Sequence, residues 1–353
     1  MQDQDPYLDI EPLYIDEELK AFLDREVGYE GTARERLVTL QTLLFGADHL
    51  NLQYNDDRTR TAMEVFESRM GNCLSVMNLY VAAARYLNID ANYRVVEVQP
   101  TWDRKGTLVV VSEHINATGK LNPFETYIVD FTPEIAVQQM TARTIEDRQA
   151  RAMYFSNLGV EQLLRGRYQE ALGYLRHALW LEPQMADAWN NAGTAFNRMG
   201  NTEAAEYSYQ MSIYHAPDSA AAMGNLARLY EASGEAGKAA GLRRAVAQLD
   251  RRNPYYYFEM GNLSFQDGRT ALAISYYEKA IELEETEPVF YLALANVYDY
   301  QGDRLKKRQM LNAAAQALSD TSYVYVPGEQ KLRILDTSTR LRSTGPMTTI
   351  SLE

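Results

Sequence analysis

Residues 186–219 read ADAWNNAGTAFNRMGNTEAAEYSYQMSIYHAPDS, and this pattern returns every 34 positions between residues 152 and 321. Successive units start at Ala152, Ala186, Ala220, Pro254 and Pro288. The fifteenth place of every unit is a glycine: Gly166, Gly200, Gly234, Gly268 and Gly302. The eighth place is always small: Gly159, Gly193, Ala227, Gly261 and Ala295. Recurrence in register predicts stacked copies of one supersecondary unit.

The small residues have a physical reason. Those at the eighth and twentieth places let two helices of one unit cross closely, and the fifteenth glycine makes the turn between the helices. The pattern closely resembles the tetratricopeptide repeat (TPR). The resemblance implies that residues 152–321 form five helix pairs, which stack into an all-α TPR solenoid.

The first helices of such a solenoid would line its inner face. Asparagines and aromatic residues there suit an extended peptide, because side-chain amides can bond to its backbone. The predicted groove residues are Asn190, Asn197, Arg198, Arg228, Tyr255, Phe258, Asn262 and Asn296, with Thr194, Glu231, Gln266 and Asp299 beside them. We therefore expect a peptide or protein partner in the groove. The alternative is a solenoid that packs against its own N-terminal domain without a ligand.

The first half of the chain is organised around its single cysteine. Cys73 follows Gly71-Asn72 and opens an apolar run. Asparagine is a good helix N-cap, so Cys73 is predicted in the first turn of a buried helix. There the free N–H groups and the helix dipole favour a thiolate. The competing interpretation is a cysteine that serves only as a small core hydrophobe.

Strand-like runs follow this helix. They are residues 93–98, residues 108–116 with His114, and residues 126–131 with Asp130. The loop 117–125 would join the last two as antiparallel neighbours. His114 and Asp130 would then lie side by side and face the start of the cysteine helix.

A helix-borne cysteine, then a strand histidine, then a strand aspartate is the order found in transglutaminase-like, papain-like enzymes. The chain resembles that family in Gly71-Asn72-Cys73, in Leu87-Asn88-Ile89-Asp90-Ala91 and in Val129-Asp130-Phe131. The resemblance covers roughly residues 30–135. It implies an α+β domain in which Cys73 is the nucleophile, His114 the base and Asp130 the residue that orients it.

This resemblance implies thiol-dependent hydrolysis of a peptide or protein amide through a thioester. The solenoid would then recruit the substrate or a partner. Two alternatives stay open: acyl transfer to an amine, as in transglutaminases, and a non-catalytic TPR adaptor with a degenerate papain-like domain. Candidate substrate-binding residues near the thiol are Arg69, Asn72 and Trp102, the last in a loop that would wall the cleft.

Composition and residue spacing limit the kinds of partner and ligand that we expect. The net charge of −13 argues against nucleic acid, and no apolar run is long enough to span a membrane. We expect no metal or cofactor, because the four histidines are scattered and no glycine-rich phosphate loop is present.

The pattern divides the chain into four segments. Residues 1–29 are an acidic, solvated leader with a first helix, 30–140 the transglutaminase-like domain, 152–321 the repeats, and 322–353 a partly disordered tail. Met1 before Gln-Asp-Gln-Asp indicates a start placed after a removed export signal, which favours a bacterial periplasmic or envelope location.

Overall fold

The computed structural model describes residues 7, 9–55, 58–96, 102–105, 108–111, 114–131, 142–250, 254–285, 287–320 and 332–336. By their contacts, residues fall into two compact units. The first unit comprises Met1–His215 together with Tyr325–Glu353, and the second comprises Ala216–Val324.

Four helices open the first unit, and each begins at a side-chain cap. They are α1 (Glu17–Glu26), α2 (Ala33–Phe45), α3 (Ala62–Ser68) and α4 (Cys73–Tyr86), capped by Asp16, Thr32, Thr61 and Asn72. The caps of α2 and α3 are reciprocal capping boxes with Glu35 and Glu64. Residues 74–84 of α4 are all buried, which makes α4 the central helix of this unit.

A five-stranded antiparallel sheet packs beside α4. Its strands are β3 (Asn92–Val96), β6 (His114–Asn122), β7 (Glu125–Val129), β8 (Ala142–Ile145) and β9 (Leu332–Asp336), in the spatial order β8-β3-β6-β7-β9. Two smaller pairs accompany it. β1 (Gln53–Tyr54) runs parallel to β2 (Met70–Gly71), and β4 (Trp102–Lys105) pairs antiparallel with β5 (Leu108–Val111).

Two of the predicted strand boundaries are wrong. Residues 108–116 do not belong to one sheet, because β5 pairs with β4 while β6 lies between β3 and β7. The predicted loop 117–125 is mostly strand, since β6 continues to Asn122. The predicted antiparallel pairing itself is present, with Ala117 opposite Val129 and Gly119 opposite Tyr127.

The two faces of the sheet have different neighbours. The Tyr93 hydroxyl donates to Asn78 Oδ1 of α4 over 2.6 Å, so α4 covers the face that carries Tyr93. Ala117 is opposite Tyr93 in the register and shares this face. Because side chains alternate along a strand, Arg94 and the Asn116 opposite it lie on the other face.

The described residues of the repeat region form five helix pairs. They are α5 (Asp147–Leu164) with α6 (Tyr168–Leu181), α7 (Ala186–Arg198) with α8 (Thr202–His215), α9 (Ala220–Ala232) with α10 (Ala236–Asp250), α11 (Pro254–Gln266) with α12 (Thr270–Leu283), and α13 (Pro288–Tyr300) with α14 (Arg304–Asp320). The fifteenth-place glycine lies between the helices of each pair and has a φ of +73° to +79°. That conformation strains any residue with a Cβ atom, which explains the invariant glycine.

The eighth place shows why the helices cross so closely. A Cβ atom on Gly193 would lie 2.6 Å from the Tyr209 ring, and one on Gly261 would lie 2.5 Å from the Tyr277 ring. In the first pair, Leu175 occupies the matching position against Gly159. Where the eighth place is alanine, the twenty-fourth place instead carries Arg243 or Leu311, both exposed. The eighth and twenty-fourth places are therefore matched: a glycine at the eighth place faces a large buried side chain at the twenty-fourth.

Both ends of the described chain contribute to the first unit. Tyr7, in the predicted solvated leader, packs instead against Phe155, Tyr174 and His177, at ring-centroid distances of 6.0, 4.7 and 5.8 Å. In the predicted tail, Leu332–Asp336 form β9 on the outer edge of β7. Other residues of the tail lie outside the described ranges.

Candidate functional site

The first helices of the repeats carry all of the predicted groove residues. In the first unit, α7 packs against α5, and Asn197 and Arg198 at the end of α7 are exposed. Asn190, two turns earlier, is half-buried. Thr194 accepts a hydrogen bond from the Tyr209 hydroxyl over 3.4 Å, so it contributes to the packing of its own repeat.

In the second unit, the predicted groove residues have different roles. Arg228 and Asn296 are exposed, and Arg228 contacts the Asn225 side chain. Phe258 packs on Phe290 with a centroid distance of 5.4 Å, and Asn262 Oδ1 accepts from the Tyr277 hydroxyl over 2.7 Å. Phe258 and Asn262 therefore stabilise the repeat packing. The side chains of Tyr255 and Gln266 lie outside the described residues.

Two acidic groove candidates are paired with second-helix cations. Both oxygens of Glu231 accept from Arg243, over 2.6 and 2.7 Å, and this pair lowers the pKa of Glu231. Asp299 lies 2.8 Å from Lys307 Nζ. These two carboxylates are therefore partly neutralised by their partners.

The Cys73 turn is held by a chain of hydrogen bonds. Asn72 Oδ1 accepts from the Ser75 backbone N–H and hydroxyl, over 2.9 and 2.8 Å. Asn72 Nδ2 donates to Thr59 Oγ1 over 3.0 Å, and the Thr59 backbone N–H donates to Glu161 Oε1 over 2.6 Å. Glu161 belongs to α5, so the first repeat supports the turn that positions the thiol. Cys73 is half-buried, unlike the residues that follow it.

Asp130 belongs to a different polar cluster. It is 7% exposed, and its Oδ2 accepts from Asn116 Nδ2 over 3.3 Å. Arg94 is opposite Asn116 in the register and lies within electrostatic range of Asp130. Burial lowers the pKa of the Arg94 guanidinium, and Asp130 opposes that effect. This cluster lies on the sheet face that α4 does not cover.

The structure places the remaining predicted residues as follows. His114 is the first residue of β6 and pairs in register with Val96, but its side chain lies outside the described residues. The predicted loop position of Trp102 is wrong, because it begins β4 opposite Val111. Arg69 is exposed and ends α3 with a φ of +56°, and its carbonyl accepts from the Gln53 backbone N–H. Asn72 caps α4 and therefore has a structural role.

Sequence reasoning missed Asn116 and Glu161. Asn116 could have been recognised from the sequence, because residues two positions apart in a strand lie on the same face of the sheet and Asn116 follows His114 by two. Glu161 had no local signal, since its partner Thr59 lies 102 positions away in the chain.

Comparison with known proteins supports the repeats. A family model described as Tetratricopeptide repeat matches residues 254–287, which are α11 and α12 with their flanking residues. The chain carries tetratricopeptide repeats. Among curated proteins, the repeat protein trd-1 of Caenorhabditis elegans is 26% identical over 159 residues, or 45% of this chain. The chain spans about a fifth (20%) of the length of that relative.

Several solved structures are similar to this chain at low sequence identity. MamA is 18% identical, with 47% of this chain and 97% of MamA covered and a TM-score of 0.26. PilF of Pseudomonas aeruginosa is 23% identical, with 49% and 78% covered and a TM-score of 0.30. The second TPR of Spaghetti (RPAP3), bound to an HSP90 peptide, is 18% identical, with 30% and 99% covered and a TM-score of 0.28. None of these matches supports the transglutaminase-like resemblance, which stays a prediction.

No described helix combines the length and apolar character needed to cross a bilayer. Within the same residues, no three histidine, cysteine or acidic side chains are grouped as metal ligands.

Proposed function

We propose that this chain is a protein-interaction adaptor that holds an extended peptide segment of a partner against the first helices of its TPRs. The observation that carries the proposal is the exposure of amide and guanidinium side chains on those helices, while the small residues at the eighth place and the rings of Tyr209 and Tyr277 are buried. Asn197 and Arg198 in the first unit, and Arg228 and Asn296 in the second, are the binding residues we propose.

The chemistry of these side chains suits a peptide backbone. Asparagine amides can both donate to and accept from peptide groups, and arginine can bind carbonyl or carboxylate oxygens with several donors. Glu231 and Asp299 are paired with Arg243 and Lys307, so they add little repulsion toward a peptide carboxylate. An extended segment with at least one acidic group is the partner we favour.

Peptide selection tests this proposal. Random peptides displayed on phage would be selected on the full chain, and binding of the selected peptides measured by fluorescence polarisation. We expect at least a tenfold loss of affinity with Asn197→Ala/Arg198→Ala or with Arg228→Ala/Asn296→Ala. Arg176→Ala and Arg244→Ala are matched controls, because both arginines are exposed at the same place of a second helix. Peptides that bind both groove variants as tightly as the wild type would refute the adaptor groove.

A thiol-dependent amide hydrolase remains a second proposal, with transfer of the acyl group to an amine as its variant. It is supported by the half-buried thiol at a capped helix start, where developing oxyanion charge would meet free N–H groups. In it, Cys73, His114 and Asp130 keep their predicted roles. The comparisons support the repeats and give no match for a catalytic domain, which favours the adaptor.

Labelling with an electrophilic acyl probe separates the two proposals. A hydrolase or transferase requires Cys73 to react at least tenfold faster than glutathione at pH 7, and Cys73→Ala to abolish labelling. A transferase would also attach a fluorescent amine to protein acceptors. Reaction at the rate of an ordinary thiol would leave only the adaptor.

A further inference from the structure

The outer strand of the sheet comes from the far end of the chain. β9 follows all ten repeat helices in sequence, yet it pairs with β7 of the first unit. Val129 is opposite Leu332, Tyr127 opposite Ile334 and Glu125 opposite Asp336. β7 therefore has β6 on one side and this late segment on the other.

Two of the described side chains anchor β9. Leu332 and Ile334 are half-buried and pack against the edge of the core, whereas Tyr127 and Val129 of β7 are fully buried. Loss of β9 would leave the core of β7 in place and expose a row of backbone N–H and C=O groups. Such an edge is a ready template for an extended chain.

From this arrangement we propose that the outer edge of β7 is a strand-addition site, where β9 is exchanged for an extended segment of a partner protein. Main-chain hydrogen bonds supply affinity in this mode, and pockets for alternate side chains supply specificity. The site is separate from the first helices of the repeats, so it goes beyond the adaptor groove. Occupation by β9 and by a partner are mutually exclusive.

The sequence of β9 indicates the chemistry of the partner. β9 reads LRILD, in which Arg333 stands between the two apolar anchors, within a chain of net charge −13. Two copies of so acidic a chain repel one another, which disfavours exchange of β9 between copies. We therefore assign the site to a foreign segment in which two apolar residues, spaced two apart, have a basic residue between them.

Exchange would act next to the buried polar cluster. The β7–β9 register begins at Val129, directly before Asp130. Asp130 and Asn116 are both buried on the face that α4 does not cover, and Asn116 Oδ1 is buried with no hydrogen-bond partner among the described residues. A partner strand longer than β9 would extend the ladder past Asp130 and toward this cluster.

A fluorescent peptide with the sequence of residues 330–337 tests the site. The protein would be the full chain with Leu332→Asp and Ile334→Asp, which removes both apolar anchors of β9 in place. We expect saturable binding to this variant and binding at least 100-fold weaker to the wild type, because a tethered strand competes at an effective concentration in the millimolar range. The control is the same peptide with aspartate at both apolar positions. A variant that keeps its circular dichroism but does not bind the peptide, or a wild type that binds equally well, overturns the proposal.

Hydrogen exchange of the unmodified chain provides a second test that does not depend on the variant. Amides of β9 should exchange faster than those of β3 and β6, because exchange of β9 requires no opening of the rest of the sheet. Uniform protection of all five strands would refute an exchangeable β9. A dimer that forms with rising concentration and transfers β9 between copies, detected by light scattering, would overturn our choice of a foreign partner.

Discussion

At the scale of single residues, the matched eighth and twenty-fourth places decide how closely two helices pack. Gly193 has no room for a methyl group because the Tyr209 ring fills the space. Gly224 lies in the middle of α9, where a Cβ atom would meet nothing within 4 Å. The same substitution should therefore have opposite effects at these two glycines.

We expect Gly193→Ala to lower the free energy of unfolding by about 1–3 kcal/mol, the usual cost of overpacking. Gly224→Ala should raise it by about 0.5–1 kcal/mol, since alanine is the better helix former. Urea unfolding followed by circular dichroism measures both. Equal effects of the two substitutions would contradict the matched packing.

Glu161 gives a second residue-scale prediction, on pH. Burial raises the pKa of Glu161 above its usual 4.5, while the hydrogen bond from Thr59 opposes this. An acid whose pKa is raised in the folded state contributes stability below pH 4.5, and this is lost as pH rises through the folded pKa. Glu161→Gln keeps an acceptor for Thr59 and does not ionise. The free energy of unfolding of this variant, relative to that of the wild type, should increase from pH 4.5 to pH 7.5. A difference that does not change with pH would contradict the raised pKa.

At the scale of elements, the start of α4 depends on one cap. Asn72→Ala removes the acceptor for the Ser75 N–H and the donor to Thr59, and should cost about 1–2 kcal/mol. Asn72→Asp keeps an acceptor oxygen at a helix N-terminus and should cost less. Thermal unfolding measures the difference. Alkylation of Cys73 should accelerate only in the alanine variant, because only there does the turn loosen, and equal rates would argue against this network.

The helices were predictable and the strands only in part, for a physical reason. Repeat helices depend on spacing within 34 residues, which the sequence displays directly. The end of β6 was hidden by Gly119, which looks like a loop residue. Position 119 is instead a glycine because the backbone of Asp90 approaches it closely. A Cβ atom there would lie 1.7 Å from the Asp90 carbonyl oxygen. The pairing of β9 with β7 could not be predicted, because neither strand has a sequence feature that specifies which strand it pairs with.

At the scale of the whole molecule, the N-terminal segment joins the sheet domain to the repeats of the first unit. The Tyr7 ring lies against α5 and α6, and Gly173 leaves it space, since a Cβ atom there would be 2.5 Å from the Tyr7 hydroxyl. In the second pair, the Tyr207 side chain packs on Trp189 at the equivalent places. In the first repeat, the Tyr7 ring from the N-terminal segment therefore lies at the place that the Tyr207 ring occupies in the second repeat.

We expect Tyr7→Ala to destabilise the first unit by roughly 2 kcal/mol, through loss of half-buried aromatic surface. Tyr14→Ala is the matched control, because Tyr14 is 61% exposed and should be nearly neutral. Differential scanning calorimetry of the full chain reports both. A silent Tyr7→Ala would show that the Tyr7 ring contributes nothing to the stability of the first unit.

The return of β9 to the first sheet has a consequence for synthesis of the protein. A ribosome delivers β3, β6, β7 and β8 long before it delivers Leu332–Asp336. The nascent sheet must therefore wait, one strand short, while every repeat helix leaves the exit tunnel. During that interval β7 is open to chaperones or to neighbouring nascent chains, and translation past Asp336 ends the exposure.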